Sequence, residues 1–243
     1  SEESLYGVYL KLKFLGEKGG AIKNALIIMD AFLLSDTTDT YKDAHLYAKD
    51  PVLSGASHVK FQYQFLKAFF DAHFLFPYLI YKISGKVNNA YSHTLDEDVL
   101  GYDKITNEVQ LLHCDSLIQK DPRLYYDTRS YLFRHRDTLT KVAGRCIFDN
   151  QKRLLEEIYR ILQKHGTRYK IIISPSYSQV KFSPVDLAYL EQLFGHNNVF
   201  DFSGENELSD NVCNFYDESH YRPNVCRYIM SVAYSNDTFH SKY

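Results

Sequence analysis

Asp217 and His220 stand three residues apart in the stretch Asn214-Phe215-Tyr216-Asp217-Glu218-Ser219-His220-Tyr221-Arg222-Pro223. A carboxylate at that distance ahead of an imidazole, on a tight loop, can reach the inner ring nitrogen. The contact fixes the tautomer and leaves the outer nitrogen free to act as a base. The pair therefore supplies an orienting carboxylate and a general base, and needs a hydroxyl to complete an acyl-transfer site. A plainer reading is a capped helix start beside an incidental surface histidine, because Pro223 suits the first position of a helix.

Three further residues are candidates to line such a site. Asp30 closes the apolar run Ala25-Leu26-Ile27-Ile28-Met29, and Ser174 follows the strand expected at 169–173. Both then fall at the C-terminal edge of a parallel sheet, where sites of α/β proteins form. Tyr221 adjoins His220. The bland alternatives are an Asp30 carboxylate that caps local amides at the strand end, and a Ser174 that only turns the chain before Pro175. No metal site is expected, since His220, Asp217 and Asp30 offer ligands without a further anchor. No cofactor is expected either.

The elements that must position these residues are legible mainly in the C-terminal half. Asn150 can cap a helix with Leu154, Leu155, Ile158, Ile161 and Leu162 on one face, stopped by Gly166. Strands follow at 169–173 and 199–202, with a helix between them that Ser183 and Pro184 start and Gly195 stops. A closing helix from Pro223 to Ala233 turns Val225, Ile229 and Val232 to one side. Near the N-terminus, Leu5, Val8, Tyr9, Leu12 and Leu15 have one-face helical spacing, and 25–29 reads as a buried parallel strand. Strand–helix–strand–helix order argues for an α/β fold with a parallel sheet.

A final strand, a D-x-x-H loop and a closing amphipathic helix together resemble the C-terminal signature of the SGNH (GDSL-like) hydrolases. The wording from Phe215 to Pro223 is most similar to the branch containing bacterial cell-surface polysaccharide O-acetyltransferases and related esterases. The resemblance runs from the first helix to the end of the chain. It implies a three-layer α/β/α fold with a flavodoxin-like sheet. It also implies His220 as base and then acid, Asp217 as its orienter, and a Ser on the loop after a first strand. A glycan or small-molecule acyl substrate and an extracytoplasmic or periplasmic place in a bacterium follow from the same likeness.

The sequence departs from that pattern in two places. Asp30 stands where the family often has an Asn that donates to the oxyanion, which an ionised Asp cannot do. Nothing in residues 1–24 resembles the nucleophile motif, and the family's oxyanion Gly is not identifiable. The resemblance thus implies that an upstream polypeptide segment supplies the first strand and the Ser. A domain without that strand is not expected to fold alone. The alternative function is a non-catalytic glycan-binding or scaffold domain with a vestigial pair.

Between the two core segments, 1–34 and 150–243, lies a stretch (35–149) too long for a connection. It is expected to be a large, mostly helical, aromatic-rich insertion. Residues 57–84 read as one helix bent at Pro77, with a core role preferred and a membrane-surface or partner face as the alternative. No membrane contact is otherwise indicated. Residues 85–125 read as irregular, with a turn at Asp121-Pro122, and a second helix is expected over 128–142. Its Arg129, Arg134, His135 and Arg136 suit an anionic glycan or a solvated face.

The chain has 21 tyrosines, 16 phenylalanines and no tryptophan, a usage that suits sugar-binding surfaces and half-buried cores alike. A net charge of −2 argues against a nucleic-acid partner. Cys114, Cys146, Cys213 and Cys226 lack metal-site spacing, and free thiols are expected, with a Cys213–Cys226 bridge left open.

Overall fold

The computed structural model describes residues 4–35, 50–86, 101–102, 109–133, 136 and 142–235. In chain order these form α1 (Leu5–Glu17), β1 (Asn24–Met29), α2 (Ala31–Ser35), α3 (Pro51–Ser54), α4 (His58–Phe69) and α5 (Ala72–Ser84). Next come β2 (Gly101–Tyr102), β3 (Val109–Gln110), α6 (Leu112–Lys120), α7 (Pro122–Thr128), α8 (Asp149–Lys164) and β4 (Arg168–Ile173). The last are α9 (Pro184–Phe194), β5 (Val199–Asp201), α10 (Glu207–Asp210) and α11 (Pro223–Ala233). The chain divides into two compact units, one of Ser1–Thr40 with Tyr131–Tyr243 and one of Tyr41–Ser130.

The first unit is α/β. Its sheet has the order β1-β4-β5, all parallel, with Asn24 opposite Arg168, Met29 opposite Ile173, and Ile171 opposite Val199. These are the three strands expected from the sequence, in one sheet. Ile171 and Ile173 join a large core with Leu5 and Leu12 of α1, Leu154, Leu155, Ile158 and Leu162 of α8, and Leu190 and Phe194 of α9. Ile172, which alternates with them, meets Val225, Ile229 and Ala233 of α11 instead.

The helix ends follow local chemistry. The Ser183 hydroxyl accepts from the Asp186 N–H, Pro184 takes the first turn of α9, and Gly195 ends it at φ 89°. At α8 the expected cap shifts from Asn150: the Gln151 side chain accepts from the Phe148 N–H (3.1 Å) and donates to the Leu34 carbonyl (3.0 Å). Buried Gln151 thereby ties α8 to α2. The Asp186 carboxylate, 1% exposed, accepts from the Cys146 N–H at 2.6 Å and holds residues 145–146 against α9.

β1 is a correction. It was expected to be buried on both faces, but Leu26 and Ile28 are 39% and 45% exposed, while Ile27 and Met29 are buried. Helix α11 covers Ile172 on the neighbouring strand. Among the described residues β1 pairs on one side only. Leu15, expected on the inner face of α1, is also exposed, and Leu10 is buried in its stead.

The second unit differs from its sequence reading in three ways. Residues 57–84 form two helices that break at Phe70 and Asp71, and Pro77 sits inside α5. The Asp71 carboxylate accepts from the His73 N–H at 2.9 Å, so a cap starts a new helix where a bend at Pro77 was expected. Neither helix is a core helix: α5 has no buried residue and α4 buries Gln64. Residues 85–125, expected to be irregular, contain α6 and the start of α7. Asp121-Pro122 is a helix start and not a free turn, since the Asp121 side chain accepts from the Leu124 N–H at 3.0 Å.

The helix expected over 128–142 is absent where it can be seen: α7 ends at Thr128 and Ser130–Leu132 is a single 3-10 turn. Arg134 and His135 lie outside the described residues. All four cysteines are free.

The buried and exposed leucines of the first unit should separate cleanly in denaturation. Leu154→Ala is expected to cost about 2–5 kcal/mol, and Leu15→Ala about 0.5 kcal/mol or less, in urea unfolding followed by circular dichroism.

Candidate functional site

The loop that carries Asp217 and His220 is closed by its own backbone. Phe215 and Tyr221 form an antiparallel bridge, the Tyr216 N–H donates to the His220 carbonyl (2.8 Å), and the Arg222 N–H donates to the Asn214 carbonyl (2.8 Å). Within this closure Asp217 Oδ1 accepts from the Ser219 N–H at 2.7 Å and the His220 N–H at 2.9 Å. His220 Nδ1 lies 2.8 Å from Asp217 Oδ2 and 3.0 Å from Oδ1. An ionised carboxylate only accepts, so Nδ1 carries the proton and Nε2 presents a lone pair. The His220 side chain is 64% exposed and that of Asp217 30%. Among the described residues, Nε2 makes no hydrogen bond.

This exposed pair stands on buried supports. Phe215 is fully buried and Tyr216 nearly so. Asn214, also buried, donates to the Leu208 carbonyl (2.9 Å) and accepts from the Asn224 amide (2.7 Å). Arg222 Nη1 donates to the Cys213 carbonyl at 3.1 Å, and its guanidinium lies over the Tyr216 ring.

A second set of supports comes from Leu132, Phe133 and Arg136. The Glu218 N–H donates to the Leu132 carbonyl (3.2 Å), and Phe133 meets the edge of Tyr177, which in turn meets Phe215. Arg136 stacks over Tyr177 at 4.4 Å and donates to the carbonyls of Tyr177 (3.1 Å) and Ser209 (2.7 Å). Arg136 is half-buried and directs these two donors to carbonyls inside the unit. In the second unit Arg129 stacks over Tyr125. The loop under these supports is also strained: Gln179 holds φ at 59°, with its amide on the Asp210 carboxylate at 2.5 Å.

Asp30, Ser174 and Tyr221 come together at the ends of β1 and β4. The Ser174 N–H donates to the Met29 carbonyl at 3.2 Å. Burial pushes the Tyr221 phenol up, the neighbouring Ser174 hydroxyl opposes that shift, and Cys226 and Asp30 add to it. Tyr221 therefore stays a neutral group at ordinary pH. Asp30 Oδ1 accepts from the Leu33 N–H at 2.6 Å, the amide-capping role expected of it. Its charge also reaches Cys146, whose thiol is pushed up to about 12 by burial first, then by Asp186 and Asp30.

The structure therefore joins Asp217 to His220, and sets Asp30, Ser174 and Tyr221 near one another at the strand ends. The His220 side chain hydrogen-bonds Asp217 and none of the other three among the described residues. The supporting roles of Asn214, Tyr177 and Arg136 were missed by the sequence reading, which names Arg136 only as part of a charged cluster. Asn214 lies within the motif itself, whereas nothing local ties Arg136 to a loop some eighty residues later. Among the described residues no group of three His, Cys, Asp or Glu is placed to hold a metal ion.

Compared with known proteins, the chain matches no family model, no curated sequence and no solved structure.

Removing the Arg136 support should loosen the loop before the rest of the unit. Arg136→Ala is expected to cost about 1–3 kcal/mol and to speed amide exchange at Phe215 and Tyr216. A second expectation concerns Cys146. Its raised value means that thiolate forms only as pH climbs, so at pH 8 the reactive fraction is about a thousandfold below that of a thiol at the usual 9.0. Iodoacetamide at pH 8, followed by mass spectrometry, should label exposed Cys226 well ahead of Cys146.

Proposed function

We propose that this chain supplies the base and its orienter for a serine acyl hydrolase or acyltransferase of SGNH type. Such an enzyme is an esterase or an O-acetyltransferase acting on a glycan. The observation that carries the reading is His220, with Nδ1 held by an anchored carboxylate and Nε2 open to solvent. Nε2 takes the proton of a Ser hydroxyl as its oxygen attacks the acyl carbonyl, then returns that proton to the departing oxygen. Water or a sugar hydroxyl next accepts the acyl group by the same two proton transfers in reverse roles. Asp217 holds the tautomer and stabilises the imidazolium while it exists.

In this reading the Ser belongs to an upstream polypeptide segment that adds a strand beside β1. The one-sided pairing of β1 and its exposed Leu26 and Ile28 support that placement. Most of the oxyanion donors come from the same segment, since Asp30 is an acceptor. The domain is a three-layer α/β/α fold carrying a helical insertion. The packing of Ile171 and Ile173 to one cluster and Ile172 to another supports the layers.

A second reading, a non-catalytic glycan-binding or scaffold domain, is favoured by one observation. No hydroxyl of the described residues hydrogen-bonds His220 Nε2.

The test uses the polypeptide that contains this chain together with its upstream residues, assayed with p-nitrophenyl acetate. Hydrolysis is expected, with kcat lowered on the order of 10⁴-fold by His220→Ala or Asp217→Asn. An unchanged rate in His220→Ala ends the acyl-transfer reading. Glycan retention on an affinity gel without any esterase activity supports the second.

A further inference from the structure

The α4–α5 hairpin is the most aromatic part of the chain, and its apolar side chains are largely exposed. Along α4, Val59, Tyr63, Leu66 and Phe70 recur at spacings of four, three and four, one stripe on a helix. They are 78%, 59%, 53% and 61% exposed. On α5, Phe76, Ile80 and Ile83 repeat the pattern at 64%, 47% and 87%. The two helices are joined through other rings: Phe69 packs on Phe74 and Tyr78, and Phe74 stacks on Tyr78. The hairpin thus has ring contacts between its helices and a surplus apolar surface.

The charges around that surface select its occupant. Residues 58–86 carry Lys60, Lys67, Lys82 and Lys86, all exposed, against a single acidic residue, Asp71, which caps α5. The segment's net charge is +3 from those residues, in a chain whose net charge is −2. It contains no arginine. Protein interfaces are depleted in lysine and enriched in arginine, so an all-lysine rim argues against a protein partner. Lysines that keep their charge in water above buried stems, with aromatic rings beneath, suit the headgroup layer of a bilayer.

A crossing helix is not required. At 13 residues α5 is about 20 Å long, short of a hydrocarbon core of about 30 Å. No described helix is long and apolar enough to cross a membrane.

We propose that the α4–α5 hairpin is a lipid-docking element, which seats its exposed aromatic and aliphatic side chains in the surface of a negatively charged bilayer. The lysines meet the anionic headgroups, and Phe70, Phe76 and Ile83 enter the acyl boundary. The surface is independent of the acyl-transfer reading.

The purified protein is mixed with vesicles of phosphatidylcholine alone or of equal parts phosphatidylcholine and phosphatidylglycerol, and sedimented. Binding to the anionic vesicles is expected to be at least about tenfold tighter than to the neutral ones. Reversing the rim (Lys60→Glu, Lys67→Glu, Lys82→Glu and Lys86→Glu together) should abolish that preference. Phe70→Ser, Phe76→Ser and Ile83→Ser together should weaken binding to both vesicle types, with the far-ultraviolet circular dichroism unchanged because all three side chains are exposed. His220→Ala should bind as the unaltered protein does, whatever the outcome of the esterase assay. Equal affinity for both vesicle types, or no sedimentation with either, overturns the proposal. So does a dimer in sedimentation velocity that the three serine substitutions dissolve while lipid binding stays the same.

Discussion

Strand β4 is the constraint on which the first unit depends. Ile171, Ile172 and Ile173 are each buried, on alternating faces, and both β1 and β5 take their register from them. A strand buried on both faces cannot slip by one residue, because the slip would exchange the side chains meant for α1, α8 and α9 with those meant for α11. With β4 fixed, the segments that leave β1 and β4 and the loop that enters α11 meet at one end of the sheet. That is why Asp30, Ser174 and Tyr221, far apart in sequence, share an environment.

The Asp217–His220 loop shows how exposed chemistry can rest on buried structure. One carboxylate accepts two backbone N–H groups and orients the ring, so tautomer and loop shape are set by the same group. The side chains beneath, Phe215, Asn214 and Tyr216, are buried and offer the loop a rigid seat. Arg136 adds a strap from another part of the chain, with charge-assisted bonds to two carbonyls that hold the Tyr177 ring against Phe215. An imidazole left free in solvent while its neighbours are fixed is suited to proton transfer, since its geometry does not have to be assembled at the moment of reaction.

The second unit uses the same apolar currency differently. In α8 the apolar residues occupy one stripe and are removed from water by the sheet. In α5 no charged residue lies between Ala72 and Tyr81, and apolar side chains surround the helix, so one packing partner cannot cover them all. Phe69, Phe74 and Tyr78 satisfy each other, and the remainder faces outward within a rim of lysines.

The sequence by itself determined the features that depend on near neighbours along the chain. The strands at 25–29, 169–173 and 199–202, the caps at Ser183 and Pro184, the inner face of α8 and the Asp217–His220 contact all rest on periods of two or 3.6, or on three-residue reach. Tertiary structure decided what those periods cannot encode. Leu26 and Ile28 have the composition of a buried strand, but whether another element covers that face of β1 is decided by the fold, and both are exposed. Pro77 reads as the place where the aromatic segment bends; in the structure the Asp71 carboxylate caps a new helix, and Pro77 is absorbed into α5. Asp121-Pro122 reads as a turn, and it starts a helix because the Asp121 side chain accepts from the Leu124 N–H. Arg136 looked like one member of a charged cluster, and only the fold brings the Tyr177 and Ser209 carbonyls to it. In each case the deciding partner lies beyond the local window or is one of two local options, and a residue's preference is fixed only when that partner is supplied.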